Sequence, residues 1–162
     1  MLLLDALSPA PRTVRMFLLE KRLRLPAVTV DVMTGENRAA AFLAVNAAGQ
    51  TPALRLDDGS TLAEAVAIAE YLEELQPTPA LIGRTAAERG LTRQWWRRVE
   101  LNITEFIHNA YHYGEGLARF QPRIPVVPEA AAGEMLRLVV REEEVYENTS
   151  AGRPVYVDIV AL

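Results

Sequence analysis

Prolines divide the first half of the chain into segments with different hydrophobic periods. The apolar run at residues 2–4 ends before Pro9, and the apolar residues with helical spacing that follow, up to about Leu23, end before Pro26. Proline suits the first turn of a helix and the break after one. Residues 27–32 then alternate with period two, which is typical of a strand. Two strands joined by a helix run parallel, so these segments predict a βαβ unit.

A hairpin signal follows in the middle of the chain. Residues 52–56 and 60–62 have the character of strands and flank the triplet Asp57-Asp58-Gly59. Such turns require a positive φ angle, which glycine adopts without steric cost. The sequence therefore predicts that the third and fourth strands are antiparallel neighbours.

Two further helices complete the pattern of the first half. A short helix is predicted over residues 39–45, after a loop at 35–38. Apolar residues then recur with helical spacing over 64–76, until Pro77 ends the helix. The predicted order of elements over residues 1–77 is therefore βαβαββα.

The second half of the chain has a purely helical character. After a linker at residues 78–84, helices are predicted over about 86–117 and about 129–148, with a proline-rich break between them. Residues 85–162 are therefore expected to form an all-helical domain. The predicted fold class of the whole chain is α/β plus all-α.

Composition narrows the functional classes. The net charge of −4, from 21 acidic and 17 basic residues, offers no basic surface for nucleic acid. The chain has no cysteine, which excludes disulfides, thiolate metal sites and a catalytic cysteine. His108 and His112 lack a third ligand, so we expect no metal site. No apolar run approaches the about 18 residues of a membrane span, and no basic signal-peptide region is present. We therefore expect a cytoplasmic protein without a membrane partner.

Three short motifs lie at the ends of the predicted elements. They are residues 8–15 (SPAPRTVR), 46–54 (NAAGQTPAL) and 62–68 (LAEAVAI). Together with the element order, they resemble the glutathione transferase superfamily, and the resemblance extends over roughly residues 2–154. It implies a thioredoxin-like glutathione-binding domain at 1–77, followed by an all-helical domain at 85–162.

The resemblance implies that Ser8 is the catalytic residue. In similar proteins the residue after the first strand donates a hydroxyl hydrogen bond to the thiolate of glutathione, whose thiol pKa starts at about 8.5. The free amides at the start of the following helix are expected to assist. The structural alternative is that Ser8 only caps that helix. Pro9 and Ala10 stand where other branches carry cysteine, so the resemblance favours conjugation over thioltransferase chemistry.

The resemblance also assigns five residues to glutathione itself. Pro52 is expected to follow a cis peptide bond that presents the backbone of Thr51 to the cysteinyl residue of glutathione, with Gln50 beside it. Glu64 is expected to bind the α-ammonium group, although acidic residues are also favoured at helix starts for structural reasons. Relatives have Ser or Thr at the next position, whereas this chain has Ala65. Loss of that hydroxyl is expected to weaken glutathione binding.

The second substrate implied by the resemblance is a small hydrophobic electrophile. The residues expected to line its pocket come from both domains: Pro9, Ala10, Phe106, Ala110, Tyr111 and Tyr113. The structural alternative is that the aromatic residues, which have helical spacing, belong to the core of the second domain. The resemblance further implies a homodimer and a role in detoxification.

The end of the chain departs from the family pattern. Relatives continue after a segment like residues 151–154 through a loop and a Ser/Thr capping box, whereas Val155 occupies the capping position here. The helical domain is therefore predicted to be incomplete. Together with Ala65, this departure favours the alternative function, a non-catalytic ligand-binding or protein-interaction module of the same fold. The intact set at Ser8, residues 50–52 and Glu64 favours the enzyme.

Overall fold

A computed structural model gives the fold of residues 1–120 and of Ala131. Within these residues the chain divides into two compact units, Met1–Arg84 and a second unit that begins at Thr85. The helix predicted over 129–148 and the departure from the family pattern after residue 151 lie outside the described residues. The two units are described separately below.

The first unit is built on a four-stranded mixed sheet. Its strands are β1 Leu2–Asp5, β2 Ala27–Thr29, β3 Ala53–Arg55 and β4 Thr61–Ala63, in the spatial order β2-β1-β3-β4. β1 runs parallel to β2 and antiparallel to β3, and β4 runs antiparallel to β3. Gly59 in the β3–β4 turn has a φ angle of 87°, which confirms the predicted hairpin and the reason for its glycine.

Two helices connect these strands, α1 Pro9–Glu20 and α2 Ala40–Leu43, and a third, α3 Ala65–Leu75, follows β4. The resulting order βαβαββα is the thioredoxin-like arrangement that the sequence predicts. α1 and α3 pack against each other, and both contribute to a core cluster with the sheet. The buried members of that cluster are Leu3, Val14, Leu18, Leu54, Ile68 and Leu72. Each large apolar side chain buried there contributes about 1.5 to 3 kcal/mol.

Among the differences from the sequence prediction, three concern α1, β2 and the loop before α2. α1 ends at Glu20 because Arg22 adopts a left-handed conformation (φ 56°), in which the amide of Leu23 bonds the carbonyl of Leu18. β2 ends early because the Asp31 carboxylate accepts backbone hydrogen bonds within the following turn. The predicted loop at 35–38 contains a 3₁₀ turn over Glu36–Arg38.

A buried ion pair joins the end of α1 to the end of α3. The ammonium group of Lys21, the only lysine of the chain, pairs with the carboxylate of Glu73, and both side chains are almost completely buried. Lys21 also donates to the carbonyl of Gln76 (2.7 Å). Oε1 of Glu73 accepts from the amides of Leu81 (3.0 Å) and Ile82 (3.2 Å). The pair therefore anchors the segment that follows α3.

The second unit is helical as far as it is described. α4 covers Ala86–Val99 and begins with a capping box between Thr85 and Glu88. A π-helical segment at Glu100–Thr104 leads into α5, Glu105–Tyr113, and α6 covers Leu117–Phe120. The prediction of one continuous helix over 86–117 was wrong, because the Gly-Glu-Gly turn at 114–116 interrupts it. No helix of the described residues is long and apolar enough to cross a membrane.

Candidate functional site

Three segments leave the same end of the sheet in the first unit. β1 ends at Asp5, while Leu4 pairs with Ala53 at the start of β3. Ala53 pairs in turn with Ala63, the last residue of β4. Because these neighbouring strands are antiparallel, the end of β1, the start of β3 and the end of β4 meet. The segments that leave this end of the sheet carry Ser8, Gln50, Thr51, Pro52, Glu64 and Ala65.

Ser8 precedes α1 with its side chain uncommitted to the helix. It occupies the N-cap position in an extended conformation and is half-buried, but its hydroxyl makes no capping hydrogen bond. A serine cap bonds the amide of the second or third helical residue. The third helical residue here is Pro11, which has no amide hydrogen. The hydroxyl also makes no bond to the amide of Ala10, the second helical residue, so the capping interpretation of this hydroxyl is wrong.

The start of α1 also offers fewer amides than predicted. Pro9 and Pro11 have no N–H, and the amide of Arg12 bonds the carbonyl of Ser8 (3.2 Å). Among the first four helical positions, only Ala10 retains an amide without an intrahelical acceptor. The expected help from several free amides is thus reduced to one donor. Any stabilisation of an anion beside Ser8 therefore depends more on the serine hydroxyl.

Arg15 holds the segment between β1 and Ser8. Its Nη1 donates to the Asp5 carboxylate (2.6 Å) and to the backbone carbonyl of Ala6 (2.8 Å). The same carbonyl of Ala6 accepts from the amide of Ser8 (2.9 Å). Sequence reasoning missed this contact, although Asp5 and Arg15 lie on adjoining elements of a predicted βαβ unit. The backbone of Ser8 is therefore linked through one carbonyl to a side chain of α1.

The peptide bond between Thr51 and Pro52 is cis, as the resemblance implies. Pro52 is buried, Thr51 is half-buried and Gln50 is exposed. Within residues 1–120, neither the amide nor the carbonyl of Thr51 forms a hydrogen bond. Directly before β3, the chain thus presents a backbone donor and acceptor that a bound peptide could use.

Two asparagine side chains, one before α2 and one after it, hold the loop that leads to Gln50. Nδ2 of Asn37 donates to the carbonyl of Gly49 (2.6 Å), and Nδ2 of Asn46 donates to the carbonyl of Gln50 (2.8 Å). Gly49 has a φ angle of 64°, and a Cβ there would lie 2.8 Å from Nη1 of Arg38. Sequence reasoning treated Asn37 as part of a loop. The glycine is required here by its φ angle and by the Asn37 carbonyl, 3.0 Å from the Cβ position, because the end of the Arg38 side chain can move aside.

Glu64 is the single residue between β4 and α3. It has a φ angle of 69°, is exposed, and uses its carboxylate for no capping hydrogen bond. Its backbone carbonyl accepts from the amide of Ile68 (3.0 Å). Ala65 follows as the first residue of α3 and is half-buried. The first turn of α3 therefore begins beside an available carboxylate but without a hydroxyl.

The residues expected to contact an electrophile lie in both units. In the first unit, Pro9 is exposed and Ala10 is half-buried on α1. In the second unit, α5 contains no fully buried residue. The half-buried residues of α5 in this set are Phe106, Ala110, Tyr111 and Tyr113.

The two histidines lie side by side on α5. The rings of His108 and His112 are nearly parallel, at 13°, with centroids 6.0 Å apart. Burial lowers the pKa of His112, and the neighbouring His108 lowers it further, while Glu105 acts in the opposite direction. His112 is therefore neutral near pH 7.

Comparison with known proteins gives the first unit a family. Residues 7–75 match the family of glutathione S-transferase N-terminal domains. Glutathione S-transferase 2 of Saccharomyces cerevisiae is 36% identical over 108 residues, which cover 65% of this chain and 46% of that protein. Maleylacetoacetate isomerase of Pseudomonas aeruginosa is 43% identical over 90 residues, which cover 52% and 42%. The chain thus spans less than half the length of these relatives.

The solved structures extend the similarity into the helical unit. The crystal structure of Gtt2 from Saccharomyces cerevisiae superposes with a TM-score of 0.82 at 27% sequence identity. The superposition covers 91% of this chain and 72% of the yeast chain. A thioredoxin-like domain followed by a helical domain is therefore the fold of this protein as well.

Proposed function

The chain belongs to the glutathione S-transferase superfamily, and we propose that it is an enzyme that joins the thiolate of glutathione to a small hydrophobic electrophile. The observation that carries the proposal is the meeting of three segments at one end of the sheet. These segments carry a free hydroxyl at Ser8, an unpaired backbone at Thr51 and an available carboxylate at Glu64. These groups complement a thiol, a peptide backbone and an ammonium group, which are all parts of glutathione.

Ser8 would act on the thiolate as a hydrogen-bond donor. A serine hydroxyl cannot serve as a base near pH 7, but a hydrogen bond to a charged group is worth about 1.5 to 3 kcal/mol. About 2 kcal/mol corresponds to a pKa lowered by about 1.5 units. From a thiol pKa of about 8.5, the thiolate fraction at pH 7 would rise from about 3% to about half. That increase raises the concentration of the attacking nucleophile without a separate base.

Glutathione would bind largely through its backbone and its charged ends. The amide and carbonyl of Thr51 would pair with the cysteinyl residue as an added strand does, with Gln50 alongside. Glu64 would bind the α-ammonium group. At Ala65 only the backbone amide remains for the γ-glutamyl carboxylate, so binding is weaker than with a serine there.

The electrophile would be selected by apolar side chains in each unit. In the first unit, Pro9 and Ala10 adjoin Ser8 in sequence. In the second unit, Phe106, Tyr111 and Tyr113 expose part of their aromatic surface on α5, and Ala110 lies between them. Aromatic side chains bind apolar ligands through large contact areas, which suits a hydrophobic second substrate.

The test combines a glutathione-binding assay with a measurement of the conjugation rate. The wild-type protein should bind immobilised glutathione and conjugate it to a chromogenic electrophile. Ser8→Ala should bind glutathione within a few fold of wild type but lose at least about tenfold in turnover, because the hydroxyl acts mainly on the thiolate. Ser60→Ala, a matched serine in the β3–β4 turn, should behave as wild type. Binding without turnover in any background would favour the non-catalytic ligand-binding module.

The similarity to maleylacetoacetate isomerase favours a second candidate reaction. In a glutathione-dependent isomerisation, the thiolate would add to an unsaturated substrate, allow rotation about the former double bond and then leave. Conjugation consumes one glutathione for each product, whereas isomerisation consumes none. Measuring the loss of free thiol together with the loss of substrate separates the two reactions.

A homodimer in the cytoplasm is part of the proposal. Family membership favours a dimer, and two-fold symmetry is the commonest arrangement of homo-oligomers. Light scattering should give twice the 18.0 kDa mass of the chain at micromolar concentration. A monomer over the whole concentration range would contradict the dimer and leave the glutathione site to be tested as above.

A further inference from the structure

We propose that Arg15 is a positioning residue for Ser8, which it holds in place through the carbonyl of Ala6. This inference rests on the proposed function, because it concerns the residue that would stabilise the thiolate. Nη1 of Arg15 donates to the Asp5 carboxylate at 2.6 Å and to the carbonyl of Ala6 at 2.8 Å. The amide of Ser8 donates to the same carbonyl at 2.9 Å. A single carbonyl thus joins the guanidinium group to the backbone of Ser8.

We refer to the hydrogen bonds of Arg15 with the Asp5 carboxylate and the Ala6 carbonyl as the brace. Both ends of the brace, Asp5 and Arg15, lie on regular elements. Asp5 is the last residue of β1, and its carbonyl accepts from the amide of Val30 beyond the end of β2. Arg15 follows Val14, a fully buried core residue in the middle of α1. The guanidinium group therefore spans from a fixed helix to a fixed strand end. The segment it bridges is the one that carries Ser8.

The brace is needed because α1 itself does little to fix Ser8. The hydroxyl makes no capping hydrogen bond, and Pro9 and Pro11 remove two of the first amides of the helix. The backbone of Ser8 is instead held by Arg12 on one side and by Ala6 on the other. Of these two contacts, only the one with Ala6 uses a carbonyl that also accepts from a charged side chain, that of Arg15. A displacement of about 1 Å at a reacting group can cost up to about a hundredfold in rate.

The experiment compares the pH dependence of conjugation in four variants. Arg15→Met should lower kcat about tenfold and move the midpoint of the pH–rate profile upward, because a displaced hydroxyl stabilises the thiolate less. The KM for glutathione should change less than about twofold, because the peptide-binding segments are untouched. Arg15→Lys should recover most of the rate. Nη1 alone donates both hydrogen bonds of Arg15, and the ammonium nitrogen of a lysine also carries enough hydrogens to donate two.

Asp5→Ala distinguishes positioning from a simple effect of charge. Loss of the Arg15 cation would raise the thiol pKa electrostatically, and loss of the Asp5 anion would lower it. Positioning predicts that both variants raise the midpoint, since either one releases the brace. Arg97→Met removes an ion pair of the same length, 2.6 Å, from α4 and should leave the profile unchanged.

A second measurement tests, in the absence of glutathione, whether the brace restrains the backbone of Ser8. Amide exchange of Ser8, followed by NMR in the full-length protein, should be faster in Arg15→Met and Asp5→Ala than in wild type and in Arg97→Met. Asp5→Ala also provides the test if Arg15→Met does not fold. In a Ser8→Ala background, Arg15→Met should cost no further rate, because the group that it positions is gone.

The outcomes separate this inference from the proposed function. Unchanged turnover in Ser8→Ala would remove the proposed catalytic role of Ser8, and with it the purpose of the brace. If Ser8→Ala is impaired but Arg15→Met keeps the wild-type kcat and midpoint, the positioning role is refuted and the role of Ser8 stands. A midpoint that moves downward in Asp5→Ala would show a charge effect and overturn positioning. Unchanged amide exchange of Ser8 in both variants would overturn it as well.

Discussion

Removing the negative charge of Glu73 should cost this protein a large share of its stability. Glu73→Gln keeps the size of the side chain and the oxygen that accepts from the amides of Leu81 and Ile82. The change removes the charge opposite Lys21 and replaces Oε2, the oxygen that pairs with it, by an amide NH₂ that cannot accept. The side chain of Lys21 is 0% exposed. Breaking one partner of a buried ion pair costs about 3 to 5 kcal/mol, because the other charge stays buried without compensation. Single domains have unfolding free energies of about 5 to 15 kcal/mol.

The partner variant shows whether the cost belongs to the pair. Lys21→Met fills the same volume without a charge and leaves the Glu73 carboxylate with its two amide donors. We expect a similar loss of about 3 kcal/mol. The double variant Lys21→Met/Glu73→Gln buries no charge at either position, so it should lose less than the sum of the two single variants. The difference should reach about 1 to 3 kcal/mol.

Urea unfolding followed by far-UV circular dichroism measures these free energies. Tryptophan fluorescence is unsuitable because Trp95 and Trp96 both lie on α4, in the second unit. Glu74→Gln removes an exposed carboxylate at the next position and should change stability by less than about 0.5 kcal/mol. A loss below about 1 kcal/mol in Glu73→Gln, or additive losses in the double variant, would refute the assignment of Lys21 and Glu73 as buried charges that compensate each other.

Three further substitutions test the backbone and the glutathione site. Gly49→Ala should weaken glutathione binding in calorimetry more than Gly35→Ala does, because both positions have a positive φ angle but only a Cβ at 49 meets neighbours, the Asn37 carbonyl and Arg38. Equal effects would contradict the close approach. Arg22→Gly should raise the unfolding free energy by about 1 kcal/mol in urea, since glycine adopts the left-handed conformation without cost; a destabilised variant would refute this. Ala65→Ser should bind glutathione about tenfold more tightly, and unchanged affinity would show that the carboxylate does not dock there.

Local signals in the sequence predict most of the first unit. The Asp57-Asp58-Gly59 triplet gives the hairpin because its glycine alone tolerates the required φ angle. Apolar periodicity gives α1, α3 and the parallel pairing of β1 and β2, since a helical connection between neighbouring strands leaves few other topologies. The ends of these elements are less predictable. α1 stops because Arg22 turns left-handed, and nothing in its side chain favours that conformation.

Long-range polar contacts are the part that sequence reasoning does not reach. Lys21 and Glu73 are separated by 52 positions. Each belongs to a residue type that is ordinarily exposed, and only the packing of α1 against α3 buries both. The link from Arg15 to the Ala6 carbonyl depends in the same way on the distance between a helix and a strand end. The second cis peptide bond, between Thr78 and Pro79, has no sequence signal beyond the proline itself.

The distribution of groups at the proposed site explains how Ala65 can be tolerated there. The contacts to the peptide part of glutathione would come from the backbone of Thr51, which no side-chain substitution removes. The shape of that backbone depends instead on Asn37 and Asn46, whose amides hold the carbonyls of Gly49 and Gln50. A missing hydroxyl at residue 65 subtracts one hydrogen bond, worth about 1.5 to 3 kcal/mol, from an otherwise intact set. A change in the scaffold displaces several contacts at once, so Asn37→Ala should reduce glutathione affinity more than the natural alanine at 65 does.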